Sequence, residues 1–240
     1  MTQDEAKRMA ARCALEFVED GMLLGLGTGT TAAIFIQELG VRVKQGLRVR
    51  GIATSTASQQ LAESLSIPMT TFEESPVLDV AIDGADEIGP GLALIKGGGG
   101  ALLREKIVAS AARKFIVIAD SSKLVRHLGR FPLPVEVIKM ALPLVARKLK
   151  AFGLKPKLRH HPDGSEYITD EGNYILDCSC GEITDTAKTA ANIRGVVGVV
   201  EHGLFLGMAS LALIASDKGV LKVGKLYGER YTKAVSRLAS

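Results

Sequence analysis

The stretch from Asp83 to Lys106 constrains this chain more than any other. It follows the apolar run Val77 to Ile82, which reads as a buried strand, so Asp83 falls at that strand's C-terminal end. In open α/β sheets that end is where ligands bind. Asp86 follows closely, and Lys96 opens the run Gly97-Gly98-Gly99-Gly100. Glycine costs about 1 kcal/mol inside a helix, so this run belongs to a loop, where backbone amides can approach a ligand. The residues Ala101 to Ala112 have helical spacing. A helix there turns its first N–H groups and positive dipole end back towards the loop. Acids, a lysine and an anion-friendly helix start therefore reach one rim.

On that helix Glu105 shares a face with Ala101, Val108, Ala109 and Ala112. A glutamate on an apolar stripe is either an exposed rim residue or a buried functional one. Burial would raise its pKa towards that of a useful general base.

An earlier loop has related character. Met22 to Leu26 reads as a strand, Gly27-Thr28-Gly29-Thr30-Thr31 as a loop, and Ala32 to Leu39 as an apolar helix. This is either a phosphate cradle of amides and hydroxyls or a turn that merely joins strand to helix. It lacks the Gly-Lys-Ser/Thr ending of a P-loop, and Gly25, Gly27 and Gly29 do not form the dinucleotide fingerprint.

The remaining pattern sets the fold class. Thr2 to Glu19 reads as a helix, and Arg48 to Ala53 as a strand. Thr54-Ser55-Thr56 caps a helix through Leu65, and Ile67 to Phe72 is an expected edge strand. Leu92 to Ile95 is a short strand or turn, and Lys114 to Ala119 is a strand leading into Asp120-Ser121-Ser122-Lys123. This alternation predicts an α/β fold with a Rossmann-like, doubly wound, mostly parallel sheet. The pattern changes at Phe131-Pro132-Leu133-Pro134. Strands at Val135–Ile138, Lys157–Arg159, Tyr167–Thr169, Tyr174–Cys178 and Gly195–Val200 alternate with helices at Ala141–Phe152 and Thr184–Ile193. That order suggests a second, smaller ferredoxin-like α+β domain. The expected division is residues 1–131 plus 204–240, and residues 132–203. Leu204 to Ala215 is expected to return to the first sheet, and Lys222 to Ser240 to form a basic, partly helical tail.

Composition excludes several functions. Among 240 residues there is no tryptophan and only 5% are aromatic, which opposes a base-stacking nucleic-acid surface. The formal charge of +4 reads as a solvated face or as an attractor of anionic small molecules. Gly203 to Ser216, the longest apolar region, is too short to span a bilayer. The N-terminal residues form an amphipathic, charged pattern and not a secretory signal. Cys13, Cys178 and Cys180 lack metal-site spacing, and the adjacent His160 and His161 sit in a polar loop without evident partners. A cytoplasmic protein with reduced thiols is expected.

Five segments, taken in order, resemble the type A ribose-5-phosphate isomerase family. They are Gly25 to Thr31, Asp83 to Glu87, Lys96 to Lys106, Ala119 to Lys123, and Phe131 to Val137. The likeness runs from about Thr2 to about Gly219. Position 30 is Thr where the family commonly has serine, and the segment Lys155 to Glu171 is longer than usual. The resemblance implies interconversion of ribose 5-phosphate and ribulose 5-phosphate without metal or organic cofactor. It also implies a homodimer or homotetramer, with oligomer contacts expected on the smaller domain. Glu105 matches the family's proton acceptor. Lys96 is the candidate for stabilising the enediolate oxygens, and Asp83 and Asp86 would manage hydroxyl protons and ring opening. If these two acids lie close together, one of them should have a raised pKa. By resemblance the phosphate goes to Thr28, Gly29, Thr30 and Thr31, with Lys123 and Lys7 supplying charge. Gly84, Ala85, Gly97, Gly98 and Gly99 would line the sugar. A sugar-phosphate sensor of related fold, without turnover, is the main alternative. An acyl-CoA transferase is another, although such enzymes are larger and give the Lys96 loop no role.

Overall fold

Thr2 opens the first helix. Its hydroxyl accepts from the Glu5 N–H, and the Glu5 carboxylate accepts from the Thr2 N–H, the reciprocal cap of a Thr-x-x-Glu sequence. The computed structural model describes residues 1–224. Helix α1 (Gln3–Ala14) leads to β1 (Leu23–Leu26), α2 (Thr30–Lys44), β2 (Arg50–Ala53) and α3 (Thr56–Ser64). Next come β3 (Leu78–Asp83), β4 (Glu87–Ile88), β5 (Leu94–Ile95), α4 (Leu102–Ala111) and β6 (Ala112–Asp120). After these the chain forms β7 (Leu133–Val137), α5 (Leu142–Ala151), β8 (Lys155–Leu158), β9 (Tyr174–Ser179) and α6 (Thr186–Arg194). It ends in β10 (Val199–His202), β11 (Leu204–Phe205), β12 (Leu211–Ser216) and β13 (Gly219–Gly224).

The main sheet has the order β13-β12-β6-β3-β1-β2 and is parallel except for β13. Its central strands β3, β6 and β12 are largely buried on both faces, as parallel strands usually are. Val80, Ile82, Ile116 and Ile118 pack with α1 and α2 residues such as Ala10, Phe35 and Leu39. Ala81, Phe115 and Val117 face the other way, with Val108 and Ala109 of α4. Each large apolar side chain so buried contributes about 1.5–3 kcal/mol. From β1 the chain first moves outward to β2, then returns to place β3 on the other side of β1. That reversal opens a crevice beyond the C-terminal ends of β1 and β3.

The smaller sheet has the order β10-β7-β9-β8. Its elements run βαββαβ with the first and third strands central, which is the ferredoxin-like arrangement. Val135, Val145, Leu149, Leu176 and Ile193 make its core.

Several local expectations change. Ile67 to Phe72 makes only an isolated bridge, Gly51 to Met69, because neighbouring backbone groups turn into local bonds such as Ser75 N–H to Thr71 O. Tyr167 to Thr169 is not a strand. The Thr169 N–H closes a turn on Asn173 O instead. The strand expected at Gly195 starts at Val199, because Gly198 has φ +97° and the preceding residues form turns. Leu204 to Ala215 divides: β11 joins β5 and β4 in a three-stranded sheet not foreseen from the sequence, and only β12 enters the main sheet. Lys222 lies in β13 and not in a helix, while 225–240 of the expected tail lie outside the described residues. The three cysteines are free. Among the described residues no helix is long and apolar enough to cross a membrane.

Candidate active site

The crevice at the strand reversal holds a pocket of about 120 Å³. Its walls come from the loop after β1, the turn after β3, the glycine loop before α4, and α4 itself. All the predicted site residues except Asp83 line it: Lys7, Thr28, Gly29, Thr30, Thr31, Gly84, Ala85, Asp86, Lys96, Gly97, Gly98, Gly99, Glu105 and Lys123. Asp83 lies beneath, 3% exposed. Two glycines allow the walls to meet. A Cβ on Gly27 would stand 2.2 Å from Asp83 Oδ1, and one on Gly98 would stand 2.5 Å from Asp86 Oδ1.

At the floor, Lys96 is 2% exposed and its ammonium is fully engaged. It donates to Gly84 O at 2.5 Å and Glu105 Oε1 at 3.0 Å, and lies 3.0 Å from Asp83 Oδ2. Burial alone would lower its pKa. The Asp83 and Glu105 carboxylates outweigh that and hold it above the usual lysine range. Asp83 is held in turn by the Thr28 and Gly84 N–H groups at 3.0 and 2.7 Å.

Glu105 is 5% exposed. Burial raises its pKa to about 8, although the Lys96 ammonium works against the shift and Asp83 adds to it. One oxygen is bound to Lys96. The other, Oε2, is buried and has no hydrogen-bond partner among the described residues. An unpaired buried carboxylate oxygen is costly in a folded protein, and here the residue that carries it lines a cavity that can receive a proton donor. Asp86 does not pair with Asp83. Its Oδ2 accepts from the Gly98 N–H at 2.7 Å. The acid that Lys96 joins to Asp83 is Glu105.

At the other end, Gly29 caps α2, and Thr30 and Thr31 form its first turn. That start supplies unpaired N–H groups and a positive dipole end. Lys7, from α1, and Lys123 both face the pocket. Thr28 differs from expectation. Its hydroxyl lies inside a cluster, 2.7 Å from Thr54 Oγ1, 2.8 Å from Ser55 Oγ and 3.2 Å from Ser58 Oγ. It therefore braces the loop against α3, while the residue as a whole still lines the pocket. Thr54 and Ser55 were legible only as a helix cap, and Ser58, inside α3, was not singled out. Gln3, a further wall residue, donates to Asp120 Oδ2 at 3.3 Å, and nothing in its sequence context marks it.

His160 and His161 are exposed, the latter packing its ring against Tyr167 at 5.0 Å. Among the described residues no group of three or more His, Cys, Asp or Glu could hold a metal ion.

Comparison with known proteins gives the family. Residues 50–219 match the family model described as ribose 5-phosphate isomerase A (phosphoriboisomerase A). A ribose-5-phosphate isomerase A from Roseiflexus sp. (strain RS-1) is 53% identical over 220 residues, covering 90% of this chain and 94% of the relative. A D-ribose-5-phosphate isomerase solved in complex with phospho-erythronic acid superposes with TM-score 0.91 at 39% identity, covering 94% of this chain and all of that one. The ribose 5-phosphate isomerase A of Methanocaldococcus jannaschii gives TM-score 0.89 at 42% identity, with 93% and 100% covered.

Proposed function

The chain belongs to the ribose 5-phosphate isomerase A family, and from that premise we propose how its own residues carry out the reaction. It is an aldose–ketose isomerase that interconverts D-ribose 5-phosphate and D-ribulose 5-phosphate, a step of the pentose phosphate pathway. Moving the carbonyl between C1 and C2 requires removal of a weakly acidic proton and its return to the neighbouring carbon. One carboxylate can do both across a cis-enediolate. The observation that carries the assignment is that Glu105 lines the pocket and has one carboxylate oxygen, Oε2, buried and without a hydrogen-bond partner among the described residues.

In this reading Glu105 takes the C2 proton. The negative charge then moves from its carboxylate to the sugar oxygen. Lys96, bound to Glu105, stays beside the charge at both stages and exchanges one carboxylate contact for the enediolate oxygen. Stabilisation of this kind, aimed where charge develops, is usually the largest catalytic contribution. Asp83 fixes Lys96, and Asp86 with Asp83 handles hydroxyl protons and ring opening. The amides of Gly29 to Thr31 at the start of α2, with Lys7 and Lys123, take the phosphate. Gly84, Ala85 and Gly97 to Gly99 line the sugar. This arrangement argues against a sensor without turnover, which would have no use for a raised-pKa glutamate over a buried lysine.

The same reading treats residues 1–131 with 204–240 as the catalytic unit and residues 132–203 as a smaller unit bearing oligomer contacts. The exposed Leu144, Phe152 and Val197 on its helical side support a homodimer or homotetramer. The free cysteines support a cytoplasmic location.

The test is proton exchange at C2 of ribose 5-phosphate in heavy water, followed by NMR with EDTA present, for the native chain and Glu105→Gln. Exchange and ribulose 5-phosphate formation are expected in the native chain, and both should be lost in the variant. Binding without exchange in the native chain would leave a sensor. Turnover surviving the substitution would move the base to Asp83 or Asp86. The kcat/KM of the native enzyme should climb as pH rises towards about 8, where Glu105 loses its proton.

A further inference from the structure

The glycine loop of the pocket is held from outside chiefly by one side chain of the smaller unit, with Tyr167 Oη donating more weakly to Gly99 O at 3.4 Å. Arg159, just past β8, donates from Nη1 to Gly97 O at 2.9 Å and to Gly98 O at 3.2 Å. Its Nε and Nη2 hold the two oxygens of Asp177, on β9, at 2.9 and 2.5 Å. The guanidinium also lies 5.6 Å from the centre of the Tyr167 ring. Its side chain is 12% exposed, so the contact is largely shielded from water.

A trans peptide points its C=O and N–H in opposite directions. With Gly97 O and Gly98 O both drawn to Arg159, the Gly98 and Gly99 N–H groups face away from it. The Gly98 N–H meets Asp86 Oδ2 at 2.7 Å. The Gly99 N–H donates to no group among the described residues, and Gly99 lines the pocket. One guanidinium nitrogen thus bonds the carbonyls of two peptide planes, the first of which also accepts from the Gly100 N–H at 2.9 Å. One plane aims an amide at a proposed catalytic acid, and the other leaves an amide for a ligand oxygen.

The support behind Arg159 is itself anchored. Glu136, 1% exposed, accepts from Thr169 Oγ1 at 2.9 Å and Asn173 Nδ2 at 3.0 Å. Asp170 accepts from the Thr56 N–H at 2.8 Å, at the start of α3. The segment carrying these residues is therefore tied to the smaller sheet at one side and to the pocket's supporting helix at the other.

We infer that Arg159 is a positioning residue for the isomerisation. It fixes the Gly97-Gly98-Gly99 backbone so that Asp86 is oriented and the Gly99 N–H meets an oxygen of the bound phosphosugar. The inference rests on the isomerase reading above. Lysine cannot replace this side chain, because a single ammonium cannot hold Asp177 in a bidentate pair and reach two carbonyls from the same planar group.

The experiment compares the full-length native chain with Arg159→Ala and Arg159→Lys in kinetics, thermal melting and amide hydrogen exchange at Gly98. Misplacement of about 1 Å costs up to about 100-fold in rate. Both variants should accordingly lose about 10- to 100-fold in kcat, with a smaller change in KM and a near-native melting temperature. Sub-denaturing guanidinium should restore part of the kcat of Arg159→Ala and none of that of Glu105→Gln. Gly98 exchange should speed up in both Arg159 variants. Unchanged kcat, unrescued kcat in a folded Arg159→Ala, or native-rate Gly98 exchange would each overturn the proposal. If the alanine variant does not fold, Asp177→Asn carries the test. It keeps the guanidinium but frees it, and should show faster Gly98 exchange and lower kcat, whereas native values of either would overturn the inference. If the native chain fails to isomerise ribose 5-phosphate, the functional reading fails instead, and Gly98 exchange still decides whether Arg159 holds the loop.

Discussion

Two lysines near the start of α4, one buried and one partly buried, behave in opposite ways. Lys96, at the pocket floor, faces Asp83 and Glu105 and is held above the usual lysine range against its own burial. Lys106, at the seam between the two larger sheets, binds Glu201 Oε1 at 2.8 Å and the carbonyls of His202 and Leu204 at 2.6 and 2.9 Å. Burial lowers its pKa to about 8, and Glu201 offsets only part of that. Arg194 competes for Glu201 at 2.6 Å and repels Lys106. Both ammoniums stand near the ring of Phe205, at 5.6 and 4.7 Å from its centre. The deeper lysine is the more firmly charged. Depth alone does not decide charge. The number of carboxylates that a lysine does not share with another cation decides it.

The strongest way to break this contrast is to remove a carboxylate from Lys96. Glu105→Gln should lower kcat by about 10²- to 10⁴-fold, the range for losing a positioned general base. It also leaves Lys96 with one carboxylate, as Lys106 has. The side-chain ammonium of Lys96, followed by NMR, should then titrate at lower pH than in the native chain. An unmoved titration would show that Glu105 does not hold the charge there.

A smaller effect should follow from removing the cation. Lys96→Met leaves Asp83 and Glu105 facing each other in the interior. It should lower kcat by about 10²- to 10³-fold and cost about 3–5 kcal/mol of stability, as for a broken buried pair. The loss, read from urea unfolding, should be larger at pH 8 than at pH 5, where a carboxylate can accept a proton. Equal losses at both pH values would contradict the pairing.

Lys106→Met should have the smallest effect, about 1–2 kcal/mol, because Glu201 keeps Arg194 and the His202 N–H as partners. The sign of its pH dependence is fixed. The folded pKa is depressed from 10.5 to about 8, so its contribution to stability is present above 10.5 and lost as pH falls through 8. Native stability should therefore decline on that account between those values, and Lys106→Met should remove the decline. An identical pH profile in the variant would mean that Lys106 stays charged in the fold.

The lysines also mark how far the sequence could be read. Placing Asp83 at a strand end and Glu105 on an apolar helical face needed only local period and strand length. Both lie where expected, as do the two loops that face each other across the strand reversal. The inward turn of the Thr28 hydroxyl was not legible, because Thr54, Ser55 and Ser58 reach it from another β–α connection. Nor was the support from Arg159, which stands far along the chain from the glycines it holds. The three-stranded sheet of β4, β5 and β11 escaped notice for a related reason. Its strands are two residues long, too short for any period to register. What failed to show in sequence was contact between distant segments, and this is what closes the site.

The insertion of the smaller sheet between β6 and β12 has a consequence for the chain as it is synthesised. β6 pairs with β3 on one side and β12 on the other. Everything from Ser121 to Ser210 is made before β12 exists. Through that interval the apolar run Phe115 to Ala119 offers an unpaired strand edge, the kind of surface that joins chains together. Chains ending before Leu211 should therefore aggregate under conditions in which the full chain stays dispersed, as light scattering would reveal. The last parallel strand covers the open edge of β6 and hands the sheet's outer edge on to β13, which follows it directly in the chain.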